Sequence, residues 1–137
     1  GPGTQKNDER ILNQLIQRGL CQNKVYINDA GNAKRSYIYI SDAIKILLEI
    51  LFNGKNETYN VGGEEKTSIK ILGKKVADLL NKKFKIKETK IGKKIGAPKN
   101  AFIDIKLIKS EFNIKRLLNL DYGLRKTIDW QKILYSK

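Results

Sequence analysis

The chain has 137 residues, with 28 Lys or Arg against 14 Asp or Glu, which gives a formal net charge of +14. It contains one cysteine and no histidine, so an internal disulfide, a thiolate metal cluster and histidine-dependent zinc or catalytic sites are excluded. No apolar run approaches the length of a membrane span, the first ten residues are too polar for a signal peptide, and the single cysteine favours a reducing, cytoplasmic setting.

The positive charge first suggests a nucleic-acid-binding protein, but the type of basic residue weakens that interpretation. Only five of the 28 basic residues are arginine, the residue that binds phosphates and base edges with two parallel hydrogen bonds. We therefore expect most lysines to form a solvated coat. A small basic nucleic-acid-binding domain stays open as an alternative, supported by the lysine-rich stretch "NKKFKIKETKIGKKIG" at residues 81–96.

Apolar periodicity predicts the first elements of the chain. A helix capped by Asn7 or Asp8 is expected to run to about Leu20, because its apolar residues recur on one face. Short strands are predicted over residues 24–28 and 35–40, separated by an asparagine- and glycine-containing turn.

The segment of residues 36–63 has the pattern strand, helix, strand. Ser41 begins the helix, and Asp42 places a negative charge at its N-terminus. This helix is apolar on nearly every side, which predicts burial from more than one direction. The stretch "TYNV" at residues 58–61 is then predicted to be a strand that leads into a glycine pair.

Helices and strands continue to alternate to the end of the chain, which predicts the α/β class. In order, these elements are a helix from Thr67–Ser68 to about Asn81, a strand over residues 84–89, a loop over residues 90–100, and helices over residues 105–112 and 121–135.

Four motifs in this order resemble the extended short-chain dehydrogenase/reductases that act on nucleotide sugars. They are "GPG" at residues 1–3, "AKRSYIYISDAIKILLEIL" at 33–51, "TYNVGG" at 58–63 and "LNLDYGLRKTIDW" at 118–130. This family comprises NAD-dependent epimerases, 4,6-dehydratases and decarboxylases. The resemblance covers essentially the whole chain and implies the C-terminal, substrate-binding portion of a Rossmann-type α/β enzyme, without its N-terminal cofactor-binding domain.

The two motifs essential to that family do not occur in the expected form. The chain has no GxxGxxG after an N-terminal strand. Tyr122 and Lys126 have the spacing of the family's catalytic pair, but they lie in the predicted last helix, so we expect no catalytic residue in this chain. The resemblance implies that the parent enzyme uses NAD to oxidise a nucleotide sugar transiently at C4, and that this portion alone binds no cofactor and is inactive.

The resemblance also implies substrate contacts. Arg35 occupies the place of an arginine that contacts the nucleotide diphosphate, and a guanidinium fork suits phosphate oxygens; an ordinary surface arginine is the alternative. Val25 and Ile27 correspond to a strand that offers backbone groups and an apolar wall to the nucleobase, although an ordinary core role is equally consistent with their pattern. Arg10 is a weaker candidate for contact with sugar or phosphate.

A second diphosphate or ribose contact is expected near "GAPKN" at residues 96–100. The family often has an arginine with an acidic residue here, whereas this chain has Ala97. Lys99 and Asn100 remain as candidates, and a lysine would hold phosphate only as a point charge.

The resemblance implies particular partners. We expect a UDP- or dTDP-linked sugar as ligand, and we expect residues 36–63 to pack on an NAD-binding domain that this chain lacks. The helix of residues 42–52 would otherwise drive self-association through Ile44, Leu47, Leu48 and Leu51. No membrane or nucleic acid is expected as a partner, and an inactive remnant of a split gene is a further alternative.

Overall fold

A computed structural model describes residues 1–87 and 99–136. The helices are α1 (Ile11–Cys21), α2 (Ile40–Asn53), α3 (Ile69–Leu79), α4 (Lys106–Glu111) and α5 (Leu120–Tyr135). The strands are β1 (Val25–Ile27), β2 (Lys34–Ser36), β3 (Lys66–Ser68), β4 (Phe84–Ile86) and β5 (Asn100–Ala101). The predicted α/β class is therefore confirmed.

The strands form two small sheets. In the first, β1 pairs in parallel with β4, and Tyr26 lies opposite Lys85. In the second, β2 lies between β3 and β5, antiparallel to β3 and parallel to β5. Helices α1, α3 and α5 pack against one another, and α1 and α3 also pack on β1.

Two hydrophobic clusters hold these elements together. The larger one joins α1, β1, α3 and α5 through the buried residues Leu15, Ile16, Val25, Ile27, Ile69, Leu72, Val76, Ala77, Leu124 and Ile128. The smaller one is built around Ile46 of α2 with Ile105 and Ile108 at α4. Apolar spacing along each helix thus selects the face that is removed from water.

The first helix begins later than predicted. Asn7 has a φ of 68° and so cannot lie in a right-handed helix. The carboxylate of Asp8 accepts a hydrogen bond from the backbone N–H of Arg10 at 2.9 Å. This turn satisfies the backbone before the helix starts, and α1 therefore begins at Ile11.

The predicted strand at residues 58–61 is not formed. Its backbone has no neighbouring strand among the described residues, and a strand requires a partner for its N–H and C=O groups. Tyr59 and Val61 instead pack against the smaller hydrophobic cluster. The Tyr59 hydroxyl donates to Glu111 Oε1 at 2.6 Å, which attaches this segment to α4.

Helix α2 is covered on one side only, contrary to the expected burial from several directions. Its buried residues are Asp42 and Ile46. A continuous set of large apolar side chains faces outward, which we call the α2 face: Ile40, Ile44, Leu47, Leu48, Leu51 and Phe52. The described residues do not provide an element that covers it, so the helix keeps an apolar surface of the kind that marks an interaction site.

Asp42 links α2 to a distant part of the chain and does not act as a side-chain cap. The N-cap position is held by Tyr39, which makes no side-chain capping bond. The carboxylate of Asp42 lies in the first turn and accepts a hydrogen bond from the backbone N–H of Leu118 at 2.6 Å. This bond links the start of α2 to the segment that leads into α5.

Candidate nucleotide-binding site

Arg35 lies in the middle of the three-stranded sheet. It is opposite Thr67 of β3 and Ala101 of β5. The half-buried side chain donates from Nη1 to the carbonyl oxygen of Lys34 at 2.7 Å and, more weakly, to that of Lys99 at 3.5 Å. These contacts hold the guanidinium at the boundary between β2 and β5.

The short strand β5 brings two further predicted residues to Arg35. Asn100 is the partner of Lys34 in the parallel pairing, and the backbone N–H of Lys34 donates to the carbonyl oxygen of Lys99 at 3.0 Å. Lys99 and Asn100 are exposed. The pairing of β2 with β5 thus places Arg35 beside the backbone of Lys99 and Asn100, which lie more than 60 positions later in the sequence.

Lys34 is a neighbouring basic residue that was missed by the sequence interpretation. It is exposed and directly precedes Arg35 in β2. Its position beside a candidate phosphate-binding arginine was the one indication in the sequence. A single lysine in so basic a chain is not a specific signal. Because successive side chains along a strand point to opposite faces, Lys34 lies on the other face of the sheet from Arg35.

Val25 and Ile27 are core residues. Their side chains are 0% and 1% exposed, with Tyr26 on the opposite face, as the alternation predicted. This burial favours the alternative of an ordinary core role over an apolar wall for a base. Contact of a nucleobase with the β1 backbone stays a prediction, although the carbonyls of Tyr26 and Ile27 already accept hydrogen bonds from Arg18 and Lys87.

Arg10 lies in a different part of the fold. It occupies the N-cap position of α1 and lines an open cleft of about 620 Å³ together with residues 1–8, Ile38, Ile40 and Ala43. Its Nε donates to Asp8 Oδ1 at 3.0 Å, and hydrogen bonding to this guanidinium holds the pKa of Asp8 well below its usual range. A phosphate at Arg10 would have to compete with that carboxylate.

The Tyr122–Lys126 spacing reflects helix packing. Tyr122 lies in the first turn of α5, where its ring packs edge-on against Tyr39 with centroids 6.0 Å apart. The ammonium of Lys126 is 5.7 Å from the Tyr122 ring centroid, the arrangement of an ordinary i,i+4 neighbour. Neither observation points to a catalytic pair, and the expectation that this chain carries no catalytic residue stays a prediction.

The glycine pair Gly62–Gly63 does not form a dinucleotide fingerprint. The glycine pair Gly62–Gly63 serves close packing: a Cβ at Gly63 would lie 1.8 Å from the carbonyl oxygen of Tyr37, and one at Gly62 would meet Ile103. A dinucleotide fingerprint needs instead a glycine-rich turn that opens a helix N-terminus toward the pyrophosphate. The expectation that this chain binds no cofactor stays a prediction.

Two other kinds of feature are absent from residues 1–87 and 99–136. No cluster of three or more His, Cys, Asp or Glu side chains is placed to hold a metal ion there. No helix in the same ranges has the length and apolar character needed to span a membrane.

Comparisons with known proteins agree on one group. The model of the NAD dependent epimerase/dehydratase family matches residues 1–62. The dTDP-glucose 4,6-dehydratase of Escherichia coli is 28% identical over 130 residues, which cover 89% of this chain and 36% of the relative. The crystal structure of UDP-glucose 4-epimerase from Thermotoga maritima with UDP-glucose matches with a TM-score of 0.82 at 22% identity, over 98% of this chain and 43% of that chain.

A second solved structure gives the same fold. UDP-glucuronic acid 4-epimerase from Bacillus cereus, in complex with UDP-glucuronic acid and NAD, matches with a TM-score of 0.80 at 24% identity, over 98% of this chain and 43% of that chain. The chain thus spans about two fifths of the length of the proteins it matches. These likenesses do not favour the alternatives of a nucleic-acid-binding domain or a split-gene remnant.

Proposed function

We propose that this chain, whose residues 1–62 match the NAD dependent epimerase/dehydratase family, is the nucleotide-sugar-binding portion of an NAD-dependent enzyme that epimerises, dehydrates or decarboxylates a UDP- or dTDP-linked sugar. In this proposal the chain binds the diphosphate, and NAD with the hydride chemistry belongs to the part of the enzyme outside it. The observation that carries the proposal is the pairing of β2 with β5, which places Arg35 beside the backbone of Lys99 and Asn100.

The chemistry of this group suits a diphosphate. A guanidinium offers parallel N–H donors that match two phosphate oxygens, and charge-assisted bonds of this type are among the strongest in proteins. The ammonium group of Lys99 adds a point charge, and the Asn100 amide is a neutral donor in the next position of the chain. Because Nη1 of Arg35 already contacts two backbone carbonyls, the guanidinium is oriented in advance and loses less freedom on binding.

The α2 face supports the same proposal at the level of partners. Leu51 and Phe52 are 72% and 75% exposed, which is unusual for large apolar side chains that lie next to one another on a helix. We assign this face to contact with the NAD-binding part of the enzyme, or with a second copy of the chain where that part is absent. The proteins that the chain matches have ample further length to supply such a partner.

Titration with UDP or dTDP tests the diphosphate contact. We expect either ligand to shift the backbone amide signals of Arg35, Lys99 and Asn100 in heteronuclear NMR spectra. Arg35→Ala should weaken binding by roughly tenfold or more, since it removes a charge-assisted pair of hydrogen bonds. Arg35→Lys should fall between wild type and Arg35→Ala, because it retains the charge and loses the fork.

The matched control is Arg125→Ala, which removes an exposed arginine from α5. It should bind the nucleotide as the wild type does. If Arg35→Ala and Arg125→Ala bind equally well, the nucleotide does not use Arg35, and the proposed site is wrong.

A further inference from the structure

The outer surface of the β1–β4 sheet contains a second concentration of positive charge. Five lysines and one aromatic residue line a concave surface of about 350 Å³, which we call the lysine pocket: Lys24, Lys82, Lys83, Lys85, Lys87 and Tyr26. Arg35, Lys99 and Asn100 are not among the described residues that line it. The lysine pocket is therefore distinct from the proposed diphosphate contact.

The fold creates this pocket by repeating one connection twice. Helices α1 and α3 each lead to an asparagine in the left-handed region, Asn23 with φ 56° and Asn81 with φ 53°. Each asparagine is followed by lysine and then by a strand, and the two strands lie side by side in parallel. The lysines that follow each helix are thus collected at one edge of the sheet.

The positive charge of the lysine pocket exceeds the partial negative charge at the C-terminal ends of the two helices that precede it. The C-termini of α1 and α3 contribute about −0.5 elementary charge each, so together they offset roughly one of the five lysines. No carboxylate in residues 1–87 and 99–136 lies within ion-pair distance of these five lysines, whereas Lys75 and Lys109 elsewhere in the fold do have carboxylate partners. The pocket therefore keeps a surplus of positive charge and attracts anions.

The surroundings of Tyr26 indicate which class of anion fits. Its ring already contacts two cations, with Lys87 Nζ 3.9 Å and Arg18 Cζ 4.4 Å from the ring centroid. Arg18 is fixed by donating to the Tyr26 carbonyl at 2.8 Å and to Gln14 Oε1 at 2.7 Å. Binding of single-stranded nucleic acid relies on aromatic rings on which bases stack, and Tyr26 is not available for stacking while these cations cover it.

From this arrangement we infer that the lysine pocket binds a compact phosphate anion with several negative charges, of the class represented by pyrophosphate. Lysine ammoniums act as point charges with no fixed fork, so they accept such an anion in several orientations. A concavity of about 350 Å³ has room for an anion of this size.

Titration of the 137-residue chain with inorganic pyrophosphate tests this inference. We expect amide shifts at residues 24–26 and 81–87, with binding that weakens as salt is added. The combined variant Lys24→Gln, Lys83→Gln, Lys85→Gln should bind about tenfold more weakly, because three charge contacts are lost. The control variant Lys45→Gln, Lys74→Gln, Lys115→Gln removes the same net charge from exposed positions outside the pocket and should stay within about twofold of wild type.

Three outcomes would overturn the inference: no shift at residues 81–87 with millimolar pyrophosphate, equal weakening in the pocket and control variants, or tighter binding of an oligothymidylate than of a polyphosphate of equal charge. The last outcome would identify a single-stranded nucleic acid as the ligand. Arg35→Ala should leave pyrophosphate binding at residues 81–87 intact. Failure of the nucleotide proposal and failure of this inference can therefore be told apart.

Discussion

Neighbouring glycines differ sharply in how much space surrounds them. At Gly63 an added Cβ would meet the carbonyl carbon and oxygen of Tyr37, which belong to the backbone and cannot rotate away. At Gly62 the nearest atoms are side-chain carbons of Ile103 at 3.2 Å, which have room to adjust. The second glycine of the pair is therefore the one that the fold requires.

Alanine substitutions test this difference. Gly63→Ala should lower the free energy of unfolding by roughly 1–3 kcal/mol, because the Tyr37 backbone must shift to admit the methyl group. Gly62→Ala should cost clearly less. Urea denaturation of both variants provides the measurement, and equal losses of stability would contradict the packing described for Gly63.

Between elements, the carboxylate of Glu111 joins α4 to the loop that follows α2. It accepts hydrogen bonds from the Tyr59 hydroxyl at 2.6 Å, the Lys55 backbone N–H at 2.9 Å and the Asn56 side-chain amide at 2.6 Å. The Tyr59 hydroxyl is the largest cause of the lowered pKa of Glu111, and the other two donors act in the same direction. These bonds fix a segment that makes no strand pairing among the described residues.

This arrangement predicts a dependence of stability on pH. Because the pKa of Glu111 is lower in the folded than in the unfolded chain, its contribution is present above the unfolded value of about 4.3 and is lost as the pH falls through the folded value. Glu111→Gln should be less stable than wild type at neutral pH, and the gap should narrow on acidification. The control Glu57→Gln, at an exposed position in the same loop, should show neither effect in parallel denaturation series.

Elements fixed by local sequence were predictable, and those that depend on a distant partner were not. The helix that begins after Ser68 is encoded locally. The Ser68 hydroxyl accepts a hydrogen bond from the Ile71 N–H, and the spacing of the apolar residues determines which face of the helix is buried. The predicted strand at residues 58–61 failed because pairing depends on what lies beside it. β5 was missed because a strand of two residues carries no periodic signal. The proximity of Lys99 and Asn100 to Arg35 depends on β5 and was therefore missed as well. Residues 88–98, which contain Ala97 and part of the predicted strand and loop, lie outside the described ranges.

For the whole molecule, the α2 face is the largest departure from a self-contained domain. A helix whose outward side is apolar gains free energy when that side is removed from water, at about 25 cal/mol per Å². A specific contact would bury roughly 1,000 Å² or more in total. The chain is therefore expected to associate, either with itself or with an NAD-binding partner.

Light scattering across a dilution series measures this association. Wild type should change in apparent mass with concentration, and Leu48→Lys should remain monomeric, because a charge at the centre of the face opposes its burial. Asn53→Lys adds the same charge at the end of the helix, beyond the apolar set, and should associate as wild type does. Identical monomeric behaviour of all three chains would show that the face does not drive self-association, which leaves the NAD-binding partner as its occupant.

The hydrogen bond from Leu118 to Asp42 spans 76 positions of the sequence. During synthesis, α2 leaves the ribosome well before the segment that fixes its first turn. The α2 face would therefore acquire its final orientation late, after most of the larger cluster has been made, and a partner that recognises this orientation would be selecting chains whose synthesis has reached α5.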